Sequence, residues 1–182
     1  MEIQEAAPMP DIAFRAMSLY FALRHGLEDV TKPLKNAGIK EGHIILDFGC
    51  GPGHYAIAAA RMVGQSGKVY ALDIHPLALQ SVEKKARKEN LTNIKTILSD
   101  RDTGLPDQSI DIALVYDTIH MVNDKQALTK ELHRVLKPNG LLSVLAAHVK
   151  VDDILKILQG DGLFSLRDRQ GNLLNLNRAM VK

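Results

Sequence analysis

The chain has 182 residues, 46% hydrophobic and 24% charged, an ordinary globular composition with enough length to bury a core and no sign of disorder. Its 23 basic and 21 acidic residues leave a net charge of +2, too even a balance to indicate nucleic acid or an anionic membrane as the main partner. No run nears the roughly 20 apolar residues of a membrane span, the opening Met1-Glu2-Ile3-Gln4-Glu5 lacks a secretory pattern, and the lone Cys50 permits no internal disulfide, so a cytoplasmic location is expected.

Asp11 can cap a helix running through His25 and stopping at Gly26. Ile12, Phe14, Met17, Leu19, Tyr20, Phe21 and Leu23 leave it apolar nearly all round, which is unusual for a surface helix. A second helical stretch covers Glu28 to Ala37. Ile44–Phe48 is a short, β-branched apolar run followed at once by glycines, and reads as a buried strand. Tyr55–Val63 is alanine-rich and helical, Lys68–Asp73 is a strand, and Pro76 opens a helix to about Glu89. The basic run Lys84-Lys85-Ala86-Arg87-Lys88 reads as that helix's solvated face.

Ile94–Leu98 is the next strand, 100–109 a loop, and Ile110–Tyr116 a strand. Asp124 can cap a helix whose face is Leu128, Leu132, Val135 and Leu136. Lys137-Pro138-Asn139-Gly140 reads as a turn before the strand Leu141–Ala147, and Asp152 or Asp153 opens a last helix that breaks near Gly160. Phe164–Arg169 and Leu173–Val181 are two strands joined around Gln170-Gly171-Asn172. Alternating strands and helices imply an α/β fold with parallel pairing. The expectation is one domain, 1–182, with a doubly wound, Rossmann-like, mostly parallel sheet of about seven strands and a C-terminal antiparallel hairpin. Residues 1–38 form N-terminal helices and 39–182 the core.

The informative segment is Asp47-Phe48-Gly49-Cys50-Gly51-Pro52-Gly53, between the first strand and the next helix. Glycine is needed where the chain turns tightly or a ligand approaches the backbone. In a doubly wound sheet this turn borders the ligand crevice, and the helix N-terminus beyond it favours negative charge. Asp73, ending the second strand, sits where a carboxylate can accept hydrogen bonds from both hydroxyls of a ribose. Together these features indicate a nucleoside cofactor. The dinucleotide spacing G-x-G-x-x-G is not met: the third glycine comes one position early and His54 occupies the last place. An NAD-dependent oxidoreductase is therefore the weaker alternative.

Asp47–Gly53 resembles motif I of the class I S-adenosylmethionine-dependent methyltransferases, and Tyr70-Ala71-Leu72-Asp73-Ile74 resembles their motif II. The segments 105–111 and 131–140 are similar to later stretches of that family. The nearest branch is that of the ubiquinone/menaquinone-biosynthesis C-methyltransferases. The resemblance implies S-adenosylmethionine as cofactor, with Gly49, Gly51 and Gly53 against its methionyl part and Asp47 and Cys50 beside them. It also implies that Asp73 holds the ribose, Ile74 packs on the adenine, Asp100 with Arg101 meets the adenine amino edge, and Tyr116 and Asp117 line the reaction centre.

Methyl transfer from a sulfonium is an in-line displacement, so the protein's main tasks are alignment and exclusion of water. If the acceptor loses a proton, Asp117 and His120 are the nearest candidate bases. Tyr116-Asp117-Thr118-Ile119 lacks the paired prolines of enzymes that methylate base amines or glutamine, and Ala146-Ala147-His148 lacks the Asp-Asn metal ligands of catechol-type enzymes. The seven histidines show no metal-ligand spacing, so no metal is expected. The acceptor is expected to be a small apolar molecule. The apolar first helix fits either a lid over that acceptor or a surface covered in a homodimer. A non-catalytic S-adenosylmethionine-binding subunit remains a further alternative.

Overall fold

The computed structural model describes residues 7–25, 29–146 and 149–179, with only the backbone described for 21–25. Seven strands build one sheet: β1 (Ile44–Phe48), β2 (Lys68–Asp73), β3 (Ile94–Leu98), β4 (Ile110–Tyr116), β5 (Leu136–Leu145), β6 (Phe164–Gln170) and β7 (Leu173–Arg178). Their order is β3-β2-β1-β4-β5-β7-β6. The first five pair in parallel, and β7 runs antiparallel between β5 and β6. The helices are α1 (Asp11–His25), α2 (Thr31–Asn36), α3 (His54–Val63), α4 (Pro76–Lys88), α5 (Lys125–Val135) and α6 (Val151–Gln159).

Side chains alternate across each strand, so β1 feeds two cores at once. Ile45 packs with Leu34, Ala59 and Val82 from α2, α3 and α4. Leu46 and Phe48 pack on the opposite face with Leu128 and Leu132 of α5 and Ile154 and Leu158 of α6. Burial on both faces explains why the central strands read as unbroken apolar runs. In α5 the residues Leu128, Leu132 and Val135 are spaced four and three apart, which puts them on one buried stripe. Asp124 caps that helix, its Oδ1 accepting from Ala127 N at 2.9 Å.

The chain departs from its sequence-based reading in a few places. Helix α2 begins at Thr31, whose N–H donates to Asp29 Oδ1 at 2.9 Å; the expected start at Glu28 lies outside the described residues. The stretch expected as a turn, 137–140, is an excursion inside β5. Leu136 pairs with Ile110, and Leu141 next pairs with Ile112, so four residues loop out opposite one. Pro138 offers no N–H to continue the ladder there. A 3-10 turn, Ile119–Met121, follows β4. Helix α6 starts at Val151, just before the expected Asp152 or Asp153. The expected ends at Ala147 and Val181 lie outside the described residues.

Strand β1 lies between β2 and β4, and the connections from β1 and β4 leave in opposite directions along the sheet. At such a reversal the two loops part and leave a crevice beyond the carboxyl ends of the strands.

Candidate active site

The crevice is a cavity of about 590 Å³. The loop after β1 forms its floor, the ends of β2 and β3 one side, and the loop after β4 the other. Its roof is the N-terminal segment, through Ala7, Pro8, Met9, Phe14, Met17 and Tyr20. That volume suits a nucleoside-sized ligand with room for a small second molecule.

The three glycines of the loop all have positive φ, at 71°, 49° and 86° for Gly49, Gly51 and Gly53. Only one of them faces open space. A Cβ on Gly49 would strike the Thr118 side chain, and a Cβ on Gly53 would come within 2.6 Å of Val82 Cγ2 on α4. A Cβ on Gly51 would meet nothing within 4 Å, so this is the glycine at which a ligand can approach bare backbone. Gly49, Cys50 and Gly51 line the cavity; Asp47 and Gly53 stand behind the loop. From α4, Ser81 Oγ and Lys85 Nζ both donate to Pro52 O, at 3.0 and 2.7 Å. Lys85 therefore is not the solvated residue that the basic run suggests.

Asp47 is 2% exposed and accepts a backbone hydrogen bond from Ala56 in the first turn of α3. Its Oδ2 is buried with no hydrogen-bond partner among the described residues. Burial, reinforced by the nearby Asp73 charge, pushes the carboxyl up to about 7. Cys50 is 7% exposed, and burial first, then the charges of Asp47 and Asp73, push its thiol up. That makes it a packing residue and a poor nucleophile.

Asp73 sits on the cavity wall beside the glycine loop. Its Oδ2 accepts from Gly51 N and its Oδ1 from His75 N, both at 2.8 Å. Burial raises its pKa, while backbone hydrogen bonds from His75, Gly51 and Ile74 act against that rise. A carboxylate offers about four lone-pair sites, more than these backbone donors occupy, which leaves capacity for a ligand hydroxyl. Ile74 and His75 line the wall next to it, and Ser99, Asp100 and Arg101 continue it from β3. Arg101 is tied to Asp124, at 3.5 Å.

Beyond β4 the chain turns through Asp117, a non-glycine residue at φ 56°. Such strain persists where the surroundings impose it. Here Asp117 N donates to Leu145 O at 3.1 Å, and Thr118 Oγ1 lies 3.2 Å from Gly49 O and 3.0 Å from Tyr116 O, within reach as donor to either. Asp117 and His120 both line the cavity, and His120 is exposed on the 3-10 turn. Tyr116 also lines it, but its hydroxyl points into the core, 3.0 Å from Ser143 Oγ and 3.4 Å from Pro33 O. Its ring meets Tyr55 edge-on at 4.8 Å, and burial pushes its phenol far above the usual range. It walls the site without offering a titrating group.

Thr118, Lys85 and His75 escaped the sequence reading. Nothing in sequence links Thr118 or Lys85 to the glycine loop. His75 left a trace: the residue before an N1 proline is the helix cap, and its Nδ1 indeed accepts from Leu77 N at 3.2 Å. Among the described residues no group of three His, Cys, Asp or Glu could hold a metal ion, and no helix is long and apolar enough to cross a membrane.

A doubly wound sheet with a ligand-facing glycine after its first strand and a carboxylate ending its second defines a nucleoside-cofactor-binding α/β protein. The chain belongs to the methyltransferase-domain family, which matches residues 39–163. It is 34% identical over 148 residues to a demethylmenaquinone methyltransferase of Lactobacillus johnsonii, covering 80% of this chain and 60% of that protein. It is 27% identical to the ubiquinone/menaquinone biosynthesis C-methyltransferase of Pasteurella multocida, over 76% of this chain and 52% of the other. The chain thus spans just over half the length of these curated relatives. A crystal structure of an S-adenosylmethionine-dependent methyltransferase from Aquifex aeolicus superposes with a TM-score of 0.72 at 28% identity, covering 83% of this chain and 88% of that one. S-adenosylmethionine is the cofactor of this family. The open space at Gly51 and the spare lone pairs of Asp73 fit it.

Proposed function

We propose that this protein transfers a methyl group from S-adenosylmethionine to a small, apolar, quinone-like acceptor held beneath its N-terminal helix. One observation carries the reading: the same cavity has the Gly51 backbone on its floor, the Asp73 carboxylate on its wall and an apolar roof of Met9, Phe14 and Met17. The names of the relatives, which concern menaquinone and ubiquinone precursors, supply the ring chemistry.

When bound, the cofactor supplies a methyl group already activated by its sulfonium. The chain's own work is then placement. Gly49 and Gly51 admit the methionyl part to bare backbone, with Cys50 between them. Asp47 and Gly53 brace the loop from behind, through α3 and α4. Asp73 takes the ribose hydroxyls on its remaining lone pairs, and its charge disfavours a 2′-phosphate. Ile74 packs on the adenine, and Asp100 with Arg101 faces the amino edge. Tyr116 closes the wall. Carbon methylation of a reduced ring releases one proton, which Asp117 or His120 accepts from the acceptor. Residues up to 38 serve as the cap and 39–182 as the core of one catalytic unit.

The test is turnover with methyl-labelled S-adenosylmethionine and a reduced, short-tailed demethylnaphthoquinone. Labelled methylnaphthoquinone is the expected product. If the cofactor binds but neither this ring nor a metabolite extract takes label, the catalytic reading fails and a binding subunit takes its place.

A further inference from the structure

A chain of short hydrogen bonds leads out of the glycine loop and into the roof of the cavity. Gly51 N donates to Asp73 Oδ2, and Asp73 Oδ1 accepts from His75 N. The imidazole of His75 then makes two further hydrogen bonds, and its Nε2 also lies 3.7 Å from Asp11 Oδ1 at the start of α1. Its Nδ1 accepts from Leu77 N at 3.2 Å, which leaves the ring hydrogen on Nε2, 3.0 Å from the carbonyl oxygen of Met9. The Phe14 ring lies flat on the same imidazole, with centroids 4.2 Å apart and planes 27° from parallel. Phe14 and His75 are 4% and 3% exposed, while Ile12 and Leu19 on the same helix are 80% and 64% exposed. Among the described side chains of α1, Phe14 is the one that is buried.

We propose that His75 is a positioning residue that latches residues 7–14 over the cofactor side of the cleft, so that the strap closing the cavity is held by the loop that grips the ribose. The inference rests on the proposed cofactor site and assigns that site its gate. The latch uses Nε2 for the Met9 carbonyl and the ring face for Phe14, while Nδ1 serves the α4 cap. With the strap down, Met9, Phe14 and Met17 exclude water from the reacting atoms and oppose the departure of the spent cofactor. Release of product cofactor then requires the Met9–His75–Phe14 contact to open.

The two ring nitrogens can be tested separately. Asn carries its polar group near the position of Nδ1 and can cap α4 without reaching Met9; Gln reaches toward the position of Nε2 without capping. Amide exchange of the full chain without ligand should show α1 exchanging about tenfold faster in His75→Asn, the scale of one lost hydrogen bond, with α3 and α5 unchanged and α1 in His75→Gln accelerated clearly less, since Gln restores the Met9 contact but not the ring face. Dissociation of S-adenosylhomocysteine should accelerate about tenfold in His75→Asn, with little change in its association rate. Unchanged α1 exchange in His75→Asn, equal acceleration in both variants, or faster exchange without faster dissociation would each overturn the latch. Should His75→Asn loosen α3 and α4 as well, Phe14→Ala decides, since it leaves the cap intact: acceleration confined to α1 supports the latch and unchanged α1 removes it. If wild type binds no adenosyl ligand at all, the proposed function fails while the exchange comparison still reads the latch.

Discussion

Adding one methyl group at each glycine of the loop should separate three jobs. Gly49→Ala and Gly53→Ala press on Thr118 and Val82 from backbones at positive φ, so each should lose about 2–4 kcal/mol of stability from strain and overpacking together. Gly51→Ala has open space for its Cβ and should lose only the strain of about 1 kcal/mol, while S-adenosylhomocysteine affinity drops at least tenfold. Thermal melts and titrations on the three variants check this, and a Gly51 variant that binds normally would contradict it. Asp73→Ala should weaken cofactor binding by about 1.5–3 kcal/mol, the worth of hydrogen bonds to a charged group.

Asp47 makes a prediction about pH. Its folded pKa is raised from 3.8 to about 7, so the folded state holds that proton more tightly than the unfolded chain. Its contribution to stability is full below about pH 4 and is lost as pH rises to about 7. Asp47→Asn should therefore melt higher than wild type at pH 8, by about 1–3 kcal/mol, and the gap should close toward pH 4. Equal melting at pH 8 would show that the carboxylate has found a partner.

At the scale of elements, α4 works on the glycine loop from outside. Ser81 and Val82 lie four and three residues before Lys85 in α4, so both neighbour it on the helix surface. Together they hold Pro52 O and fill the space under Gly53. Lys85→Met keeps the stem but removes the ammonium, and should weaken cofactor affinity severalfold while leaving α4 folded by circular dichroism. Unaltered affinity would mean that the loop holds its shape unaided. The central strands were legible because double burial writes them as apolar runs, and the glycine loop because few residues tolerate positive φ. The 137–140 excursion reads in sequence as a turn because Pro138, Asn139 and Gly140 carry the same local chemistry in either setting. Only the pairing of Leu136 with Ile110 makes it part of β5. Helix α1 was legible as a helix but not in its orientation, since an apolar surface all round names no inner face. The structure selects Phe14 for burial and leaves Ile12, Leu19 and Tyr20 exposed; Phe21 and Leu23 lie outside the residues with described side chains.

For the whole molecule, the site is an assembly of loops brought together by the reversal of strand order between β1 and β4. Sequence placed the glycines and Asp73 in it because each motif is local. His75 with Met9, Thr118 with Gly49 and Lys85 with Pro52 are contacts across 66, 69 and 33 residues, and no spacing rule encodes them. The central claim is that this crevice is built for an adenosyl sulfonium and not for a dinucleotide. Calorimetric titration of the full chain with S-adenosylhomocysteine, against NAD under the same conditions, tests it most directly. The account predicts saturable binding of one S-adenosylhomocysteine per chain and no measurable heat from NAD; saturable NAD binding with none of S-adenosylhomocysteine would contradict it.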